Sequence, residues 1–185
     1  MKKSPTTVSS PGALNILAIE ASANQISIAV MIDGEVVAGR QHPAVHGHAA
    51  GIVPLTIETL KDAGMTFDAI THVAAGCGPG SFTGIRVGLA AAKGFCMAHN
   101  ATGVGVSGLQ ALAHAAIDVV SGTKTPFLVL ADTRRGPLYA QLFDATGQPS
   151  DIIFEASIKQ LPHLIDAKIA GSDLRLIGKY RMAVA

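Results

Sequence analysis

The sequence predicts an α/β fold of two successive lobes, each opening with three strands before its first helix. Three observations carry this reading. Short apolar runs separated by turn signals open the chain, and a similar set begins again after Pro126. Between them lie segments whose small and apolar residues recur at helical spacing. Of 185 residues, 49% are apolar and only 15% charged, with 20 glycines, a mix that suits close packing of helices on a sheet and excludes a disordered chain.

Residues 14–21 form an apolar run rich in Leu and Ile, the pattern of a buried strand. Residues 25–32 form a second, ending in Asp33-Gly34, which predicts a two-residue hairpin turn and a return strand over 35–41. Helical spacing of Ile52, Leu55, Thr56, Thr59 and Leu60 predicts a helix over 48–63, with Pro54 kinking it or marking its first turn and Gly64 stopping it. A strand over 70–76, a helix over 85–99, a strand over 103–106 and a helix over 108–120, capped by Ser107, follow. The second round places strands at 127–131, 138–143, 152–155 and 174–177, with a turn at 144–147 and a weak helix over 157–166. Two halves that start alike have the organisation of a duplicated ribonuclease-H-like fold, as in actin, Hsp70 and sugar kinases. The expected division is a disordered lead over 1–12, a first actin-like lobe over 13–107 and a smaller, incomplete second lobe over 108–185.

Charge and cysteine content narrow the function classes. Formal net charge is +1, and the longest basic runs are Lys2-Lys3 and Arg134-Arg135, so the basic stripe of a nucleic-acid grip is absent from the sequence. The N-terminus imitates a secretion signal only faintly, because the polar, proline-bearing stretch 4–12 occupies the place of the apolar region. No run approaches the ~18 apolar residues of a membrane span, and the expectation is a cytoplasmic chain without membrane contact. Cys77 and Cys96 lack Cys-x-x-Cys spacing and read as buried free thiols, with a disulfide or a catalytic thiol as alternatives.

The glycine-rich stretch Gly76 to Gly84 follows a strand and opens a helix. Bare backbone N–H groups at such a place can hold an anion. The other reading is a tight turn in which Gly80 and Gly84 allow close packing. Neither nucleotide fingerprint, G-x-x-x-x-G-K-[ST] or G-x-G-x-x-G, is met. Ser81 lacks the nucleophile pattern G-x-S-x-G, because Thr83 stands where the second glycine belongs; Ser81 or Thr83 reads as a helix cap. In the next helix Gly84, Gly88, Ala91, Ala92 and Phe95 form a small face, either packed on the chain's own sheet or part of a partner interface with His48, Ile52, Leu55 and Thr59 of the preceding helix. His42, His46 and His48 approach metal-ligand spacing, but Pro43 argues against the helix this needs and no acid or thiol is near in sequence. Glu20 ends the first strand, where actin-like ATPases carry an Asp and a glycine-bearing phosphate loop. Its counterpart Asp132 is followed by Thr133-Arg134-Arg135-Gly136, with bulky arginines where phosphate needs room. Neither loop suits a nucleotide, and Glu20 reads as a local hydrogen-bonding residue.

At Gly78-Pro79-Gly80-Ser81-Phe82-Thr83-Gly84-Ile85-Arg86-Val87-Gly88-Leu89 the chain resembles the TsaB (YeaZ) family. The opening strand 16–22, His48 at the start of the first helix, and Asp132 through Tyr139 are similar to the family as well, although Glu20 replaces the usual Asp and Pro137 replaces an acid. The resemblance covers residues 14–145 well and the rest loosely. It implies a two-lobed actin-like fold and a non-catalytic scaffold role in making threonylcarbamoyladenosine in tRNA. The implied partners are TsaD in a heterodimer, TsaE in a larger complex, and a second copy when the chain is alone. It implies no cofactor, no metal, no catalytic residue and no direct grip on tRNA. The motif loop would be Gly78, Pro79, Gly80, Ser81, Phe82, Thr83 and Arg86. Family members usually run longer and end in a further helical segment, so a shortened second lobe is expected. The competing readings are an active actin-like ATPase or phosphotransferase and a metallopeptidase using the histidines.

Overall fold

The computed structural model describes residues 13–23, 25–43, 48–120, 126–132, 136–157, 159 and 175–178. The expected lead over 1–12, most of the expected helix over 157–166, and the Thr133–Arg135 stretch lie outside the described residues. By its internal contacts the chain divides into two units, Met1–Val106 and Ser107–Ala185.

The first unit is built on a five-stranded sheet of order β3-β2-β1-β4-β5. Strands β1 (Asn15–Glu20), β2 (Gln25–Ile32) and β3 (Glu35–Pro43) form an antiparallel meander, while β4 (His72–Gly76) and β5 (Thr102–Val106) run parallel to β1 and β4 respectively. The Asp33-Gly34 hairpin forms as its composition predicts. Both residues take positive φ, 49° and 92°, which a two-residue turn of this hand requires. Asp33 Oδ1 also accepts a hydrogen bond from Leu14 N at 2.8 Å, fixing the turn to the start of β1. On the edge strand β3, Ala38 pairs with Val30 and Val36 with Met31, leaving Val37 as the extra residue of a bulge. Such a bulge disfavours further strand pairing at an exposed edge.

Helices α1 (His48–Asp62) and α2 (Phe82–His99) cover one face of this sheet. Period-two alternation points Leu17, Ile19, Ile26, Ile28, Val30, Val73 and Ala75 at them, and Ile52, Leu55, Leu60 and Ala92 complete the core. Thr56 and Thr59 are also fully buried. Their hydroxyls donate to the carbonyls of Ile52 and Leu55, each at 2.7 Å, so neither hydroxyl is left unmet. Pro54 lies inside α1, beyond its first turn. Gly64, at φ 65°, ends the turn after the helix, with its N–H donating to Lys61 O. Arg40 of β3 holds α1 from the edge, with Nη1 2.8 Å from Glu58 and Nε and Nη2 on Asp62. The pairing lowers the Asp62 pKa and raises that of Arg40.

The second unit begins with α3 (Gly108–Val120), followed by β6 (Phe127–Asp132), β7 (Leu138–Phe143), β8 (Phe154–Ala156) and β9 (Arg175–Gly178). Its sheet order is β8-β7-β6-β9, with β6, β7 and β8 antiparallel and β9 parallel to β6. This repeats the order and directions of β3-β2-β1-β4, which is the duplication expected of the actin-like fold. Phe127, Val129 and Phe143 on one side of the sheet pack with Leu109, Ala113 and Ala116 of α3. Leu128, Leu130, Leu138, Ala140 and Ala156 form a separate core on the other side. The third strand starts later than its composition suggests. Ile152 and Ile153 are exposed, and the segment before them is held instead by Gln141 Nε2 donating to Asp151 O at 2.9 Å.

Candidate functional site

The glycine-rich loop is fastened to the loop after β1. Ser81 N donates to Ser22 O at 2.7 Å, and Ser81 Oγ accepts from Gly84 N at 3.2 Å, capping α2. These are N–H groups that an anion at this helix start would use. Gly80 lies so close to Ser22 that a Cβ there would collide with the Ser22 carbonyl oxygen, with Ser22 Cβ and Oγ at 2.9 and 3.0 Å. Of the two sequence readings of this loop, the geometry is that of a tight turn made for close packing. Glu20 completes the arrangement: its Oε1 accepts from Ser22 N, and its carboxylate fills the space beside Gly76. That is the local hydrogen-bonding role expected of Glu20.

The Gly76 contact is testable by a double-mutant cycle. Gly76→Ala should cost about 2 kcal/mol, because the new Cβ overlaps the Glu20 carboxylate. Glu20→Ala in the same chain should recover about 1 kcal/mol or more of that loss. Urea midpoints of the four proteins check it, and a double variant that is merely as unstable as the sum of the singles would remove Glu20 from the account.

The nine residues expected at a partner interface divide by exposure. Ile52, Leu55, Thr59, Gly84, Gly88 and Ala92 are buried in the unit's own core, Ile52 at 1% and Thr59 at 0% exposure. Ala91 and Phe95 are half-buried, and Phe95 meets Phe67 of a short 3-10 turn (Phe67–Ala69) with ring centroids 5.0 Å apart. His48 opens α1, as expected, and its side chain lies outside the described residues. The six buried residues lie on the inward side of both helices, where small residues let α1 and α2 sit close on the sheet. The outward sides present Val53 and Ile57 from α1, and Phe82, Leu89 and Met97 from α2. Sequence spacing did not single out these residues, except for Phe82 in the motif loop.

Within that loop Gly78 is buried, Pro79 half-buried, and Gly80, Ser81, Phe82, Thr83 and Arg86 exposed; the Gly78–Pro79 bond is cis. Arg86 Cζ lies 5.0 Å from the Phe82 ring centroid, a cation–π contact on the surface of α2. Cys77 and Cys96 are both free thiols, but neither is buried as expected: Cys77 is exposed at the start of the glycine-rich loop and Cys96 is half-buried. His42 is part of β3, with Nδ1 2.8 Å from Pro43 O, and His46 lies outside the described residues. Among the described residues no group of three His, Cys, Asp or Glu is placed to hold a metal ion. Asp132 ends β6, and the two arginines after it are not described.

Residues 41–179 match the family described as TsaD, tRNA N6-adenosine threonylcarbamoyltransferase. The chain is 32% identical over 126 residues to the tRNA threonylcarbamoyladenosine biosynthesis protein TsaB of Escherichia coli, a stretch covering 68% of this chain and 53% of that protein. The chain belongs to the TsaB (YeaZ) family. The Haemophilus influenzae TsaB protein is 33% identical over 109 residues, 57% of this chain and 44% of that one. The chain thus spans about half the length of these curated TsaB relatives. YeaZ from Pseudomonas aeruginosa superposes with a TM-score of 0.67 at 23% identity, over 80% of this chain and 68% of that one, which shows the shared fold.

Proposed function

We propose that the chain serves tRNA threonylcarbamoyladenosine biosynthesis as a non-catalytic subunit that docks a TsaD-type transferase through the outward sides of α1 and α2. The observation that carries the reading is the apolar surface of these two helices, with Ile57 at 53% and Phe82 at 71% exposure. Apolar side chains grouped on one helical layer mark a protein interaction surface. The fastening of the glycine-rich loop by Ser22 and Ser81 supports it further, since the helix start serves to position α2. The chain is cytoplasmic, and TsaE joins the larger complex. Other subunits grip the tRNA, and the same helices mediate self-pairing when no transferase is present.

Leu89→Arg tests the reading. Leu89 is 39% exposed on the outward side of α2, so the change leaves the core intact. A Cβ added at Gly88, by contrast, would already stand 3.4 Å from the Ala21 Cβ, and a large side chain there would disturb the fold as well as the surface. Light scattering after gel filtration of the chain mixed with the transferase of the same organism should give a one-to-one species that Leu89→Arg abolishes. A variant that still forms the complex would refute the docking surface.

A further inference from the structure

The outward side of α2 combines an apolar surface with a charge pattern that selects its partner; this rests on the docking surface proposed above. At 100° per residue, Phe82, Arg86, Leu89, Ala90, Lys93 and Met97 fall within an arc of about 100°. All six are exposed, Met97 at 76%, and they lie opposite the buried Gly84, Gly88 and Ala92. Beside the arc stands exposed Gly94, where a Cβ would meet nothing within 4 Å. Packing within the chain gives no reason for a residue that weakens a helix, whereas close approach of another helix does.

The arc is symmetric about the Leu89–Ala90 bond: Phe82 and Met97 are equally distant from it, and so are Arg86 and Lys93. A second copy laid antiparallel across this midpoint would match Phe82 with Met97. It would also set Arg86 against Lys93 at both ends, cation against cation. Nothing on the helix relieves this, since α2 contains no Asp or Glu. Among the described residues no carboxylate pairs with either cation. Arg86 is held on the stripe by the Phe82 ring, so its charge is presented rather than withdrawn.

The apolar residues therefore suit many helices, and the two cations discriminate among them. We propose that α2 selects a helix of a different protein whose apolar stripe is flanked by carboxylates about 10 Å apart, matching the seven-residue spacing of Arg86 and Lys93. The same cations keep self-pairing weak enough to yield to that partner.

The test uses the full chain with Arg86→Glu, Arg86→Glu/Lys93→Glu and Leu89→Arg, and the transferase of the same organism as probe. Affinity is titrated at low and high salt, and self-association is read by light scattering. The double reversal should weaken transferase binding by about tenfold or more at low salt, with the loss shrinking at high salt. Arg86→Glu alone should strengthen self-association by about tenfold, because each Glu then meets Lys93, and adding Lys93→Glu should return it to the wild-type level. If Leu89→Arg abolishes transferase binding while the double reversal binds like wild type, the docking surface stands and the charge selection is overturned. An Arg86→Glu chain that self-associates no better than wild type overturns it too. If Leu89→Arg itself binds normally, the docking surface fails, and this inference with it.

Discussion

Phe127→Ala should destabilise the second unit by about 3–5 kcal/mol, a large share of the 5–15 kcal/mol that holds a typical domain together. Phe127 and Phe143 are both fully buried, with near-parallel rings whose centroids are 5.8 Å apart, and they sit between β6, β7 and α3. Removing one ring leaves a cavity among Leu109, Ala113 and Val129, of which Ala113 is too small and Val129 too stiff to fill it. A matching change at Ile152, which is 78% exposed, should move stability by no more than about 0.5 kcal/mol. Urea unfolding followed by far-ultraviolet circular dichroism separates the two. Equal midpoints for the two variants would mean that this aromatic pair does not organise the second core.

The sequence revealed elements best where a chemical signal marks an end. Strand β2 and helix α3 form over the predicted residues because Asp33-Gly34 terminates one and Ser107 precedes the other. Helix α2 begins at Phe82, three residues before the predicted start, because the sequence leaves the cap open between Ser81 and Thr83 and the structure places it at Ser81. Strand β4 begins at His72 rather than residue 70. The preceding Thr71 is tied to β1 through its hydroxyl, which accepts from Asn15 N at 3.0 Å. The 3-10 turn Phe67–Ala69 is too short to carry any periodicity.

The candidate interface was legible only in part, for a more general reason. Helical spacing shows that a stripe is buried, but not which neighbour buries it. Ile52, Leu55 and Ala92 form such a stripe, and the structure gives it to the chain's own sheet. The outward side of α2 gives a weaker apolar signal because Arg86 and Lys93 interrupt it. A surface that must stay soluble until it is covered contains such interruptions, so the side most useful for docking is the one that hydrophobic patterning reads least well.

Gly80→Ala should cost about 3 kcal/mol and, unlike Gly76→Ala, no second substitution of a side chain should restore it. The obstruction at Gly80 is the Ser22 carbonyl, a backbone atom that accepts the Ser81 N–H at 2.7 Å. A methyl group there pushes the two loops apart and breaks that hydrogen bond together with the start of α2. Ser22→Gly removes the neighbouring Cβ and Oγ but leaves the carbonyl in place, so the double variant Ser22→Gly/Gly80→Ala should remain as unstable as Gly80→Ala alone. The consequence should extend to docking, because Ser81 fixes the first turn of the helix that carries Phe82 and Arg86. Transferase binding by Gly80→Ala should fall even at temperatures where the chain is still folded, with amide exchange accelerated at Ser81 and Gly84. Normal stability and normal binding in Gly80→Ala would show that the two loops can separate freely, and the fastened loop would then have no part in positioning α2.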